Sequence, residues 1–272
     1  MLKIENAEVV GWKHAIRGMR NHMNSWAKSD SHFDCNDLYK FCDQCGHYLD
    51  GEDGGKHCEY ELGGSFMEIG PNDLDLMKRL RNAGTDHRKF MRMIVVYVDL
   101  TGPLYWWKEF KTYRAGRKFG NDEPDLIPDE YLEYDIEMNS CSTMHKIADK
   151  KLGLEDFSHE HLIPRTKEVL IRTIDELNYW RSLYLNGGTI SLSMNSSGTE
   201  VAPKDKHVWW QMIQLLPTSY NQRRTVMLNY EVLANIYKSR RSHKLDEWHT
   251  FYDWIETLPY SEIICGEEGH GN

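Results

Sequence analysis

The segment MIVVYVDL at residues 93–100 is the strongest strand signal in the chain, and Gly102-Pro103 and a run of aromatics follow it at once. An apolar run rich in β-branched residues suits a strand buried in a sheet. Proline in the first helical turn costs no hydrogen bond, so Gly102-Pro103 opens a helix that runs to about Arg114. A strand that hands over directly to a helix, in a chain whose other apolar segments mostly recur at helical spacing, builds a small sheet with helices packed on it. The expected fold class is α+β.

The other segments fill in that frame. Residues 2–10 alternate weakly, as a strand does, and 11–22 read as a short helix. Pro71-Asn72-Asp73-Leu74-Asp75 is a helix start, with Asn72 as N-cap, acids at the positive end of the dipole, and Gly84 as the stop. Residues 164–185 carry Val169, Leu170, Ile174, Leu177 and Leu183 near helical spacing and end at Gly187-Gly188. Further helices are expected at 209–216, 220–241 and 243–258, with a frayed tail from Cys265 onward. Three stretches break the pattern. Residues 24–70 are rich in Gly, Asp, His and Cys; 115–138 read as an acidic, lid-like loop; 187–206 are rich in Ser, Gly and Thr and are expected to be flexible.

With 42 acidic and 33 basic side chains among 272 residues, the formal charge is -9. That balance argues against a dedicated nucleic-acid binder, while leaving room for a local basic pocket that takes a phosphate. No apolar run reaches the roughly 18 residues a membrane helix requires. The opening MLKIENAEVVGW lacks the apolar core of a signal peptide. A cytoplasmic protein with reduced cysteines is therefore expected, with no membrane partner. Nine Trp and fifteen Tyr suggest a large core, a ring-binding site or an oligomer interface.

Polar residues inside apolar stripes are the most informative, because a charge on a buried face is costly unless it is paired. On the helix from Pro103, Trp106, Trp107, Phe110 and Tyr113 share one face, and Arg114 falls among them. Arg114 is either a helix-end arginine reaching water or an arginine that binds an anion or cofactor. Across 220–241, Val226, Val232, Leu233, Ile236 and Tyr237 define an apolar arc that contains Asn229 and Arg240, about 20° apart if the segment is one helix. A buried Asn alone commonly bonds nearby backbone; an Asn and a permanent cation on one stripe point to a ligand. Arg241, His243 and the Arg223-Arg224 pair add local positive charge that suits a phosphate. The run Asn139-Ser140-Cys141-Ser142-Thr143-Met144-His145 offers N–H and hydroxyl donors to a phosphate, or else an ordinary helix N-cap.

Four of the six cysteines, Cys35, Cys42, Cys45 and Cys58, fall in one irregular stretch. Cys42-Asp43-Gln44-Cys45-Gly46 has the shape of a knuckle that sets two thiolates on one metal. Structural Zn²⁺ held by these four, with His32, His47 and His57 as spare ligands, and free thiols in a reduced compartment both remain open.

These residues together resemble the flavin-dependent thymidylate synthases. Gly84-Thr85-Asp86-His87 leads into the 93–100 strand and Gly102-Pro103-Leu104, as a Gly-His-containing segment does in that family. Thr112-Tyr113-Arg114 stands where the family has Arg-His-Arg, Asn139-Ser140-Cys141-Ser142 where it has Asn-x-x-Ser, and Met144-His145 where it has Arg-Tyr. Leu216-Pro217-Thr218-Ser219-Tyr220, the pair Asn229 and Asn235, and RRSHKLDEW at 240–248 resemble its C-terminal blocks, and residues 15–25 an early one. The resemblance covers one domain, 1–272, outside insertions at about 30–68, 115–138 and 187–206.

The resemblance implies a small mixed sheet flanked by long helices, assembled as a homotetramer with sites shared between subunits. It implies FAD as cofactor, dUMP or a related pyrimidine nucleotide as substrate, and methylene-tetrahydrofolate and NADPH as co-substrates. By residue-wise carry-over, Tyr113, Arg114, His87, Asn229 and Asn235 contact the flavin. Asn139, Ser140, Cys141, Ser142, Arg240 and His243 hold the nucleotide, and Ser142 and Arg240 serve catalysis. The signature is altered: Thr112 and Met144 replace arginines, and residues 115–138 interrupt the motif. Arg117, Lys118 or Lys146 stands near enough in sequence to replace a lost cation. A catalytically divergent nucleotide- or flavin-binding paralogue and a zinc-stabilised interaction protein remain as alternative readings.

Overall fold

The computed structural model describes residues 2–33, 67–113, 136–190 and 198–266. Strand β1 (Lys3–Val10) turns through Gly11 into α1 (Trp12–Asn21). Gly11 has φ +96°, and a Cβ there would lie 1.9 Å from the Met93 carbonyl oxygen, so the turn requires glycine. A short antiparallel pair, β2 (His32–Phe33) with β3 (Met67–Glu68), precedes α2 (Pro71–Asn82). A 3-10 turn at Arg88–Met93 leads into β4 (Val95–Pro103), which passes directly into α3 (Leu104–Phe110). After β5 (Glu137–Ser140) and the single turn α4 (Thr143–Lys146) comes the long α5 (Pro164–Asn186). The chain continues as β6 (Gly188–Ile190), β7 (Thr199–Val201), α6 (Lys206–Leu215), β8 (Asn221–Asn229), α7 (Tyr230–Arg240), α8 (Asp246–Glu256) and α9 (Glu262–Cys265).

The principal sheet has the order β1-β4-β8-β5, and every pair in it is antiparallel, where a mixed sheet was expected. The pairing follows from the connections. Both β4 and β8 run straight into helices, α3 and α7, which start from opposite ends of the sheet and bury residues in one cluster with the same sheet face. That face is made by Val96, Val98, Leu100, Val226 and Leu228, all buried. Trp106, Trp107, Phe110, Trp248 and Phe251 fill the layer between the sheet and the helices. Each such ring contributes on the order of 1.5–3 kcal/mol or more of burial free energy. The sheet's other face carries Glu5, Tyr97, Asp99, Arg223 and Thr225. A second apolar cluster joins α5 and α6 to residues 147–157, through Leu170, Ile174, Leu177 and Met212.

Three expectations are corrected. Residues 220–241 are not one helix: 221–229 form the central strand β8, and only Tyr230–Arg240 is helical. Burial alternates along β8, but Gln222 and Arg224 take inward positions, so the alternation is apolar only from Val226 on. Asn72 does not cap α2. The helix begins at Pro71, and the N–H groups of Asn72 and Asp73 donate to Asp30 Oδ2 and Oδ1 at 2.9 and 3.1 Å. Cys265, expected in a frayed tail, instead ends α9; within 187–206, β6 pairs antiparallel with β7. Among the described residues, no helix is long and apolar enough to cross a membrane.

Candidate functional site

Three groups of polar residues are gathered by β8 and the helix that follows it. The first lies where the far ends of α3 and α7 meet. The Arg240 guanidinium lies 5.4 Å from the centre of the Tyr113 ring and 5.1 Å from that of Trp248. Its Nε donates to Tyr113 Oη, and its Nη1 is 3.4 Å from Glu109 Oε2. The same Glu109 oxygen accepts from Trp248 Nε1 at 3.2 Å and lies 3.3 Å from His243 Nε2. His243 Nδ1 accepts the Leu245 N–H at 3.1 Å, so the ring proton sits on Nε2, facing Glu109. Burial raises the Tyr113 phenol above its ordinary pKa, and the Arg240 cation opposes that without cancelling it. The result is a cation held between two aromatic rings, with one carboxylate shared among three donors.

The second group is at the start of α7. Asn229, in extended conformation at the end of β8, caps the helix: its Oδ1 accepts the Val232 N–H at 3.0 Å. Six residues further on, Asn235 Oδ1 accepts from Arg88 Nη2 at 3.3 Å. Between them Glu231 is fully buried, with Arg88 Nε at 3.1 Å from one oxygen and Arg92 Nε on the other. His87 is exposed at the start of the 3-10 turn that carries both arginines.

The third group is a cleft of about 360 Å³ between β8 and the β5–α4 turn. Asn139 and Ser140 lie on the exposed edge strand, paired with Thr225 and Arg224. The Cys141 N–H continues the ladder to Arg223 O at 3.1 Å, and Cys141 is exposed. Ser142 caps α4, accepting the His145 N–H at 3.3 Å, with its Oγ 2.7 Å from His145 Nδ1. The ordinary capping role foreseen for this segment is thus present, on the rim of a cleft. Lys146, Lys150 and Arg223 line it, each already paired: Lys146 with Asp149 at 2.8 Å, Lys150 with Asp156, and Arg223 with Asp99 at 2.7 Å. Hydrogen bonds from Thr225, Asn6 and Arg223 hold the Asp99 carboxyl well below its usual range.

Tyr113, Arg240 and His243 are therefore brought together, as are Asn229, Asn235 and His87's neighbour Arg88, and Asn139 through Ser142. Arg114 and the four cysteines Cys35, Cys42, Cys45 and Cys58 lie outside the described residues. Sequence reasoning missed Glu109, Arg88, Arg92 and Glu231. Glu231 was detectable by the same test that singled out Arg240, since it is a charge between the apolar residues Tyr230 and Val232.

The fold so built is similar to that of the flavin-dependent thymidylate synthases. Two solved structures of such an enzyme, ThyX from Helicobacter pylori with FAD and dUMP, match the chain over 98% of its length and 98% of theirs. The TM-scores are 0.54 and 0.55 and the sequence identities 14% and 13%. What is shared at that identity is the fold. No protein-family profile and no curated protein matches the sequence.

Proposed function

We propose that the chain is a flavoprotein methyltransferase of nucleotide biosynthesis. It carries out reductive methylation of dUMP, or a related pyrimidine nucleotide, with FAD as cofactor and methylene-tetrahydrofolate and NADPH as co-substrates. The observation that carries this reading is the likeness of fold, over 98% of both chains, to a protein holding FAD and dUMP. The residues fit a flavin in kind. Asn229, Asn235, Arg88 and Arg92 bring amide and guanidinium donors together on α7 and the turn beside it. The flavin, once bound, supplies the hydride. The chain's own residues then bind, orient and polarise. Arg240 and His243 present a fixed cation and a ring N–H at the α3–α7 junction, and Ser142 with its neighbours holds the nucleotide at the cleft. The reading includes a homotetramer with sites shared between subunits, as the family resemblance implies.

The test is the visible absorption spectrum of the protein with FAD added and dUMP then titrated in. A bound-flavin spectrum perturbed by dUMP is expected, with dTMP formed once folate and NADPH are supplied. Arg114→Ala is expected to abolish flavin binding with the fold intact; unchanged flavin occupancy in that variant would sink the placement of the site. A second reading, a binding protein of the same fold without turnover, is favoured by Glu109, whose carboxylate already satisfies Arg240 and His243. It predicts the same spectra and no dTMP. Stoichiometric zinc with no flavin at all would favour the interaction-protein reading and a metal centre at Cys35, Cys42, Cys45 and Cys58.

A further inference from the structure

The long helix α5 buries Leu170, Ile174 and Leu177 against α6 and residues 147–157. About 150° around the helix from that buried face runs a second stripe, directed outward. Arg165, Val169, Arg172, Glu176, Tyr179 and Leu183 follow one another along it at alternating spacings of 4 and 3 residues. That alternation is the seam of a coiled coil, sustained here over about five helical turns. No described residue covers the seam. Val169 is 59% and Tyr179 47% exposed, and Arg172 and Glu176 are exposed as well. Although Arg172 and Glu176 stand four residues apart, they form no ion pair with each other, and neither side chain pairs with any other described residue. Single exposed apolar side chains are ordinary on a protein surface. Two of them at seam positions, on either side of an unpaired cation and an unpaired anion, call for a partner.

The order of residues along the seam decides which partner fits. In an antiparallel pair of α5 helices whose two-fold axis passes at the level of Ile174, Arg172 stands opposite Glu176 of the partner subunit, and Glu176 opposite the partner's Arg172. Val169 and Tyr179 face each other in the same reciprocal way, and the Arg165 stem lies along Leu183 of the partner subunit. A parallel pair in register sets Arg172 against Arg172 and Glu176 against Glu176, so the charges select the antiparallel arrangement. A two-fold contact uses one patch twice and therefore requires a patch complementary to itself, which this one is. We propose that α5 is a self-association surface on which two copies of this chain pair antiparallel, with two symmetry-related Arg172–Glu176 ion pairs fixing direction and register between Val169–Tyr179 contacts. The proposal deepens the assembly named in the proposed function by giving one of its contacts; it rests on that reading only for any further contacts of a four-chain assembly, and it requires neither flavin nor nucleotide. The seam is about 27 Å long. That places it among the smaller specific interfaces, so a dissociation constant in the micromolar range is expected.

The experiment is sedimentation equilibrium of the full chain across that range, on the parent, Arg172→Glu, Glu176→Arg and an equimolar mixture of the two variants, with thermal unfolding of each. The parent is expected to associate. Each variant sets like charges opposite each other at both symmetric positions, and is expected to raise the dissociation constant of this contact about tenfold or more. Its mass then falls to half that of the parent. The mixture is expected to regain the parent mass, because the all-acidic seam centre of one variant matches the all-basic centre of the other. Dilute samples are expected to keep the parent Tm, since both side chains are exposed and unpaired within the chain. A parent that is monomeric throughout overturns the proposal, and so does an oligomer whose mass neither variant changes. Variants that dissociate but are not rescued by mixing overturn it too, because reciprocal pairing demands the rescue. The outcomes also separate this contact from the proposed function. Four chains that stay together in both variants leave the homotetramer standing on other faces and remove this contact. Dissociation in the variants with rescue on mixing, in a protein that never takes FAD, leaves the contact standing and removes the flavoenzyme.

Discussion

Glu109 places one carboxylate oxygen within 3.4 Å of Arg240, His243 and Trp248 donors, so the Arg240 cation at the α3–α7 junction is already neutralised from within. An anionic ligand at Arg240 is repelled by that carboxylate. Glu109→Gln keeps the shape and one acceptor but removes the charge. It is expected to tighten dUMP binding by about tenfold, equivalent to about 1.4 kcal/mol, measured as Kd by titration. Unchanged or weaker binding would show that Glu109 serves only to position its neighbours. A second buried charge has a purely structural task. Asp73, fully buried, accepts from Arg20 Nε at 2.6 Å and from the hydroxyls of Ser29 and Ser31, both at 2.6 Å. It ties α1 and α2 to the segment that enters the first insertion. Asp73→Asn leaves Arg20 buried without its anion and is expected to cost about 3–5 kcal/mol in urea or thermal unfolding.

At the scale of elements, the junction of β8 and α7 decides the geometry of the candidate site. Asn229 ends a strand and caps a helix with the same side chain, so it turns the chain and fixes the phase of α7. That phase puts Asn235 against Arg88 and Arg240 against Tyr113. Asn229→Ala is expected to lower stability by about 0.5–2 kcal/mol, while Asn229→Asp, which retains the capping oxygen, is expected to stay near the parent. Equal losses in both variants would mean that the Asn229 amide nitrogen, not the cap, is the important group. The sequence pattern hid this junction because a strand with Gln222 and Arg224 facing inward lacks apolar alternation over half its length, while Val232, Leu233, Ile236 and Tyr237 do fit a helical face. Extending the helix backward over them was the natural misreading. By contrast β4 and α3, and the fully buried positions Leu170, Ile174 and Leu177 of α5, are apolar, so spacing alone locates these elements.

For the molecule as a whole, the carboxylates set the response to acid. Burial pushes Asp73 up, but hydrogen bonds from Ser29, Ser31 and Arg20 outweigh it and hold its pKa below the ordinary 3.8. Asp99 is held lower still by Thr225, Asn6 and Arg223. Both are depressed in the folded state, so the unfolded chain binds more protons in the acid range. Their contribution is present in full above the ordinary carboxylate pKa and is lost as the pH falls through the lower folded values. Tm is therefore expected to change little from neutrality to about pH 5 and to fall progressively below about pH 4. A Tm that stays flat into strong acid would contradict the depressed values.

Side chains a few residues apart specify which segments have a buried face: the 93–100 run, the aromatic stripe of α3 and the long α5. The linear sequence also carried the ordered blocks that resemble the flavin-dependent thymidylate synthases, and so the fold class. Only the tertiary structure decided which charges are balanced. Glu109 and Arg240, Asp73 and Arg20, and Asp30 and the start of α2 are pairs from distant parts of the chain, and no local pattern records them. The same is true of Arg224, which lies over the Trp107 ring and has no carboxylate partner among the described residues. Burial is written in periodicity, which is local; electrostatic compensation depends on which groups meet in space, and only folding brings them together.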